Sequence, residues 1–184
     1  MSNSPVSAKM PCSFVAIDFE TADAKRDSAC AMGLTKVQDG KIVDQLYGLL
    51  RPPRRRFSSF CVRIHGIHWH DVKNAPTFGE FWIQHAHFLE GVDFLAAHNA
   101  SFDRSVLATC CTLAGLPSPA LPFVCTVDLA RNQWNLRPTK LPDVCNFLGL
   151  SLSHHHAGSD AEACARIVMA AVEENQHCLA PFGL

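Results

Sequence analysis

Three β-prone runs open the chain, and the turn between the second and third leaves little freedom in how they pair. Ser13 to Glu20, Ala29 to Gln38 and Lys41 to Leu50 are each rich in apolar residues. Asp39-Gly40, a pair suited to the positive φ of a two-residue hairpin turn, joins the last two. After an Arg/Pro loop the period changes. Thr77 and Glu80 have capping-box spacing, and Phe78, Phe81, Trp82, Phe88 and Leu89 form one apolar helical stripe. Val92 to Ala97 is a short apolar strand, Ser101 to Ala114 a helix stopped by Gly115, and Phe123 to Thr126 the next strand. Short helices are expected over Asp128 to Trp134 and Leu141 to Leu148. The last helix is expected to open at Ser159, with Glu162 at capping-box spacing and a stripe of Ala161, Cys164, Ala165, Val168, Ala171 and Val172. Strands interleaved with helices predict an α/β fold with a mixed sheet.

Composition narrows the classes. The 184 residues, 48% hydrophobic and 18% charged, suit one domain with one core, expected over 12–176 between an N-terminal arm, 1–11, and a C-terminal tail, 177–184. No run approaches the roughly 18 apolar residues of a membrane span, and Met1 to Pro11 lacks an apolar signal core. A cytoplasmic protein with no membrane partner is expected. The nine cysteines are odd in number and include no C-x-x-C pair, so they read as reduced, mostly buried small hydrophobes. A net charge of -1 does not support a general electrostatic grip on long duplex DNA, and any nucleic-acid contact is expected to be short and local. The one basic run, Arg51 to Arg56, is either a solvated loop or a phosphate site.

Four acids stand where the pattern calls for core. Asp18 and Glu20 end the first strand two residues apart, so both side chains leave the same face. Like charges that close repel unless a divalent cation lies between them; the alternative is a strand end running into solvent. Asp103 falls on or beside the apolar stripe of its helix, set by Val106, Leu107 and Cys110, although the helix dipole alone favours a first-turn acid. Asp160 is equally ambiguous, one residue after the expected cap and four before Cys164. Each acid sits where a strand ends or a helix begins, so a sheet-centred fold can gather all four. His154, His155 and His156 precede the last helix, and any of them could take a proton from water at such a site; composition does not choose among them.

These residues resemble the DEDDh, or DnaQ-like, 3′→5′ exonucleases, which include bacterial proofreading subunits and RNase T, over roughly Phe14 to Ala171. The first motif is matched by FVAIDFETA, with Asp18, Glu20 and Thr21; the second by AAHNASFD, with Asp103; the third by HHAGSDA. The family's third motif places its histidine five residues before the aspartate, which assigns His155 and Asp160 and leaves His154 and His156 as neighbours. RIHGI around His65 and Ile67, and VCTVDLAR over Cys125 to Arg131, resemble further family segments. The resemblance implies an RNase H-like fold, a five-stranded mixed sheet flanked by helices. It implies two Mg²⁺ or Mn²⁺ ions held directly by Asp18, Glu20 and Asp160 and through water by Asp103, with His155 as general base. Thr21, Asn99 and His65 would position the last nucleotide, and Phe19, Phe102 and Ile67 are candidate apolar contacts to terminal bases, core packing being the other role open to the phenylalanines.

The activity this implies is release of nucleoside monophosphates from single-stranded or frayed 3′ ends, with DNA favoured over RNA. A polymerase partner and a homodimer are both compatible with it. The competing readings are an RNA-directed exoribonuclease of the same fold, an accessory subunit of a nucleic-acid-processing complex, and a zinc protein built on His68/His70, His85/His87 and the triple histidine.

Overall fold

The computed structural model of the protein describes residues 13–184; the expected N-terminal arm lies outside them. Five strands, β1 (Phe14–Thr21), β2 (Ala29–Gln38), β3 (Lys41–Leu49), β4 (Phe94–Ala97) and β5 (Phe123–Cys125), form one sheet in the order β3-β2-β1-β4-β5. β1, β2 and β3 pair antiparallel, while β4 joins β1, and β5 joins β4, in parallel. Asp39 (φ 51°) and Gly40 (φ 72°) turn the β2–β3 hairpin, as the pair requires. This is the mixed sheet that the strand and helix pattern predicts, with the five strands and flanking helices that the family resemblance implies.

The α-helices among the described residues are α1 (Ser59–His65), α2 (Trp69–Val72), α3 (Phe78–His85), α4 (Ser101–Ala114), α5 (Thr126–Trp134), α6 (Leu141–Leu148) and α7 (Ala157–Glu174). The period of two on β1 sorts its side chains between layers. Phe14 and Ala16 face the core beneath α5, α6 and α7, whereas Val15, Ile17 and Phe19 face the core beneath α3 and α4. Asp18 and Glu20 continue the Phe14–Ala16 row, so the strand itself aims both acids at the α7 side. Gly115 takes a left-handed φ of 68° and closes α4, and Leu116 N–H bonds the Cys111 carbonyl beyond it.

Several boundaries depart from the sequence reading. α1 and α2 occupy a segment to which the sequence reading assigned no element; Ser58 Oγ caps α1 by accepting the Phe60 N–H, and Gly66 (φ 74°) ends it. The Phe78–Leu89 stripe breaks into α3 and a 3-10 turn at Ala86–Leu89, while α5 begins two residues before its expected start. α7 begins at Ala157 rather than Ser159, because the His156 ring accepts the Ser159 N–H and takes the capping role. Ser159 Oγ instead accepts the Ser153 N–H, and Glu162 binds Gln45 and Arg166. In the segment set apart as a tail, Cys178 and Leu179 are buried in the α7-side core. Among the cysteines, Cys30, Cys110, Cys145 and Cys164 are buried and Cys61 and Cys125 half-buried, and these six are free thiols. No helix among the described residues is long and apolar enough to cross a membrane.

Candidate active site

The end of β1, the start of α4 and the start of α7 meet at one cleft of about 450 Å³, whose walls include Asp18, Glu20, Asp103, Asp160, His154 and His155. The close approach of α7 depends on Gly33, which lies opposite Asp18 in the β1–β2 register. A Cβ on Gly33 would stand 2.1 Å from the Ala157 carbonyl oxygen, so only glycine lets the first turn of α7 rest on β2 and carry Asp160 to β1.

There, carboxylate oxygens of Asp18, Glu20 and Asp160 all lie within 4.8 Å of one another. Asp103 is buried beside them, and its Oδ1 accepts the Phe19 backbone N–H at 3.1 Å, tying α4 to β1 between the two strand acids. Burial, reinforced by Asp103, Asp160 and Glu20, pushes Asp18 well above the ordinary carboxylate range. Burial, then Asp160, pushes Glu20 up to about 7. Asp103 and Asp160 are raised as well, by burial first. Such a cluster resists losing its protons unless positive charge enters.

Asp160 Oδ1 is buried without a hydrogen-bond partner, whereas Oδ2 of the same carboxylate receives two: the His155 backbone N–H and His154 Nδ1, both at 3.1 Å. A buried carboxylate with one orphaned oxygen, converging with two further carboxylates, is the donor set of a hard divalent cation, and the residues present fit one. His154, His155 and Asp160 form a second convergent group that shares Asp160 and so belongs to the same site. The pairs His68/His70 and His85/His87 enter no such group of three or more among the described residues.

The His154 and His155 rings stack with centroids 3.7 Å apart, and His155 holds a left-handed φ of 64°. Burial and the neighbouring His154 lower the His155 pKa below its ordinary value, against a raising influence from Asp160. A neutral imidazole beside an acid cluster can accept a proton.

The remaining candidates divide. Thr21, His65, Asn99, Phe102 and Phe19 all line the cleft. His65 is held in one tautomer, with Nδ1 accepting the Ile67 N–H at 3.0 Å and Nε2 donating to the Thr21 carbonyl at 3.2 Å. Asn99 adopts φ 63° at the turn into α4. Phe102 is half-buried with Arg26 over its ring at 4.3 Å. Phe19 is 4% exposed and packs in the core against Phe78. Ile67 does not line the cleft; it is buried with Ala22, Cys30 and Val72 in a small satellite core. The sequence reading passed over Arg26, His98, and Phe60 and Ile64 on the exposed rim of α1. Ser58 and Gly66, a cap and a stop around an i, i+4 apolar pair, are the signal that could have found that rim. The basic run faces elsewhere: none of Arg51 to Arg56 lines the cleft, and Arg54 forks onto Asp27.

A family model described as exonuclease matches residues 15–168, which takes in the strand end and both helix starts that build the cleft. This chain belongs to the exonuclease family. Among curated proteins it is 32% identical over 163 residues to a DNA polymerase III PolC-type from Thermotoga petrophila, a match spanning 87% of this chain and 12% of that protein. With the PolC-type polymerase of Lactococcus lactis it shares 32% identity over 165 residues, 88% of this chain and 10% of the polymerase. The exonuclease chain thus spans about an eighth or less of the curated relatives it matches. Among solved structures, Exonuclease X in complex with 5′ overhanging duplex DNA superposes with a TM-score of 0.72 at 28% identity, covering 89% of this chain and 93% of that one. The nuclease domain of 3′hExo, a DEDDh family member bound to rAMP, gives a TM-score of 0.77 at 19% identity over 92% and 94% of the two chains, a likeness of fold.

Proposed function

We propose that this protein is a divalent-metal-dependent 3′→5′ exonuclease that releases nucleoside monophosphates from single-stranded or frayed 3′ ends, acting on DNA in preference to RNA. The observation that carries the reading is the convergence of Asp18, Glu20 and Asp160 within 4.8 Å, with one buried Asp160 oxygen left unpartnered. Asp18, Glu20 and Asp160 would hold two Mg²⁺ or Mn²⁺ ions, and Asp103 would act through water. Such ions make water a nucleophile at neutral pH and offset the charge on the phosphate under attack.

The chain's own residues do the rest. His155 takes the proton of the attacking water. The backbone hydrogen bond from His155 to Asp160 keeps that histidine beside the acids. Thr21 and Asn99 orient the terminal nucleotide, His65 fixes the Thr21 backbone, and the half-buried face of Phe102 offers a stacking surface for a base.

DNA as substrate is favoured by the PolC-type relatives and by the Exonuclease X complex, whose 28% identity to this chain exceeds the 20% of a 3′-exonuclease that recognises a histone mRNA stem-loop. The same polymerase relatives support a polymerase as partner. A 5′-labelled single-stranded oligonucleotide incubated with the protein and Mn²⁺ is expected to shorten in single-nucleotide steps, with mononucleotides released, and faster than its RNA counterpart. An intact strand with both Mn²⁺ and Mg²⁺ would overturn the proposal, and faster loss of RNA would overturn the preference.

A further inference from the structure

Next to the acid-lined cleft lies a second cavity of about 760 Å³ whose walls carry the opposite charge. The two share His98, Asn99, Leu141 and His154 as common walls. The cleft has five acids, Asp18, Glu20, Asp23, Asp103 and Asp160, against Arg26 alone, and Arg26 is committed to the ring of Phe102. The second cavity has Arg131, Arg137 and Lys140 against a single acid, Asp128, which already pairs with Arg131 at 3.5 Å. Among the described residues neither the Arg137 nor the Lys140 side chain has a carboxylate partner, and both residues are exposed.

This basic wall is built onto the end of β4, the strand that pairs with acid-bearing β1. His98 follows β4 directly and precedes Asn99. Its Nε2 donates to the Thr139 carbonyl at 2.9 Å and its Nδ1 accepts from the Thr126 hydroxyl at 2.8 Å. Thr126 starts the helix that bears Asp128 and Arg131, and Thr139 lies between Arg137 and Lys140. Burial pushes the His98 pKa down to about 4, so the ring stays neutral and the tautomer that makes both bonds persists at working pH. One imidazole therefore fixes both basic segments relative to the cleft.

We infer that the Arg137–Lys140 cavity binds backbone phosphates of the strand whose 3′ end occupies the cleft, so that the protein grips a single-stranded polynucleotide beyond its terminal nucleotide. The inference rests on the exonuclease reading of the cleft. A polyanion entering an acidic cleft is repelled where no cation neutralises it, and two unpaired cations immediately beyond supply the compensating attraction. The other basic segment, Arg51 to Arg56, lines neither cavity, so the cleft's basic flank is this one. DNA and RNA share the recognised group, the phosphodiester.

The test is fluorescence anisotropy in EDTA, where hydrolysis is silenced, with 5′-labelled dT2, dT6, dT12 and rU12 and with the wild-type chain beside R137Q/K140Q and the charge-retaining R137K/K140R. Affinity of R137Q/K140Q for dT12 is expected to fall about tenfold, the loss growing with strand length from dT2 to dT12. The slope of log affinity against log salt should shrink by about 1.4, roughly 0.7 for each cation removed, while R137K/K140R binds as the wild type does. Melting temperatures of all three should agree, since both side chains are exposed. Wild-type affinity and salt slope in R137Q/K140Q, an equal loss on dT2 and dT12, or no binding of dT12 by the wild-type chain would each overturn the inference. Comparison of dT12 with rU12 shows whether the grip discriminates the sugar. The exonuclease reading stands or falls separately, on strand shortening by the wild-type chain with Mn²⁺.

Discussion

Gly33 and Ala157 touch without an intervening side chain: a Cβ at residue 33 would lie 2.1 Å from the Ala157 carbonyl oxygen and 2.7 Å from the Gly158 nitrogen. Because Gly33 sits opposite Asp18, this contact sets how near the first turn of α7, and with it Asp160, comes to the acids of β1. The backbone atoms it would strike cannot swing aside as a side-chain tip can. Gly33→Ala is therefore expected to destabilise the protein by about 2 kcal/mol or more, a drop in melting temperature of roughly 4 °C or more. Mn²⁺ affinity should fall in parallel, even below the melting transition. A Gly33→Ala protein with wild-type melting and metal affinity would show that the contact does not control the site.

Asp18→Asn and Asp160→Asn are expected to lose at least about a thousandfold in oligonucleotide hydrolysis, each removing a direct cation ligand. In EDTA at pH 8 their melting temperatures should match or exceed that of the wild type, because each relieves a buried cluster in which like charges repel. Loss of activity accompanied by a large loss of metal-free stability would assign these acids a structural role instead.

For the metal-free protein the pH dependence of stability has a definite sign. Burial and Asp160 push the Glu20 pKa up to about 7 from an ordinary value near 4.5, so the folded form holds the proton more tightly than the unfolded chain does. The stability this contributes is complete below about 4.5 and is lost as pH rises through about 7. Differential scanning calorimetry in EDTA should give wild type a fall in melting temperature between pH 5.5 and pH 8 that is smaller in Glu20→Gln. Saturating Mn²⁺ at pH 8 should restore the wild type. Identical pH profiles for the two proteins would contradict the placement of Glu20 in the cluster.

His155 and His154 separate by kinetics. His155→Ala is expected to lower kcat by about a hundredfold and to abolish the acid limb of the pH-rate profile, which in the wild type rises with pH through a midpoint below about 6.5. His154 depresses the His155 pKa, so His154→Ala should move that limb to higher pH, with a loss in kcat of less than about tenfold. Were His154→Ala the variant that loses the limb, the base would be the histidine bonded to Asp160 through its ring.

Much of this was legible along the chain because local rules govern it. The Asp39-Gly40 turn, the Thr77–Glu80 capping box and the Gly115 stop each form as their chemistry requires. Alternation on β1 places Asp18 and Glu20 on one face. Exposure could not be read: Asp103 is a first-turn acid that solvent would suit, and only packing against β1 makes it a buried acceptor for Phe19 N–H. The start of α7 was misplaced because a histidine, an uncommon cap, takes the capping role by accepting the Ser159 N–H. Ile67 shares a sequence motif with His65, yet its side chain turns into a satellite core that pairing across the sheet creates. Gly33 carries no mark of its function, since what it accommodates is a helix more than a hundred residues away in sequence.

The central claim, that the carboxylates of β1 and α7 form a cation site, is tested most directly by Mn²⁺ binding followed by electron paramagnetic resonance at pH 8 in wild type and Asp160→Asn. Wild type is expected to bind Mn²⁺ stoichiometrically, and Asp160→Asn to leave most of it in the free-ion signal while remaining folded. Mn²⁺ that stays free in the presence of the wild-type chain, or that binds both proteins equally, would contradict it.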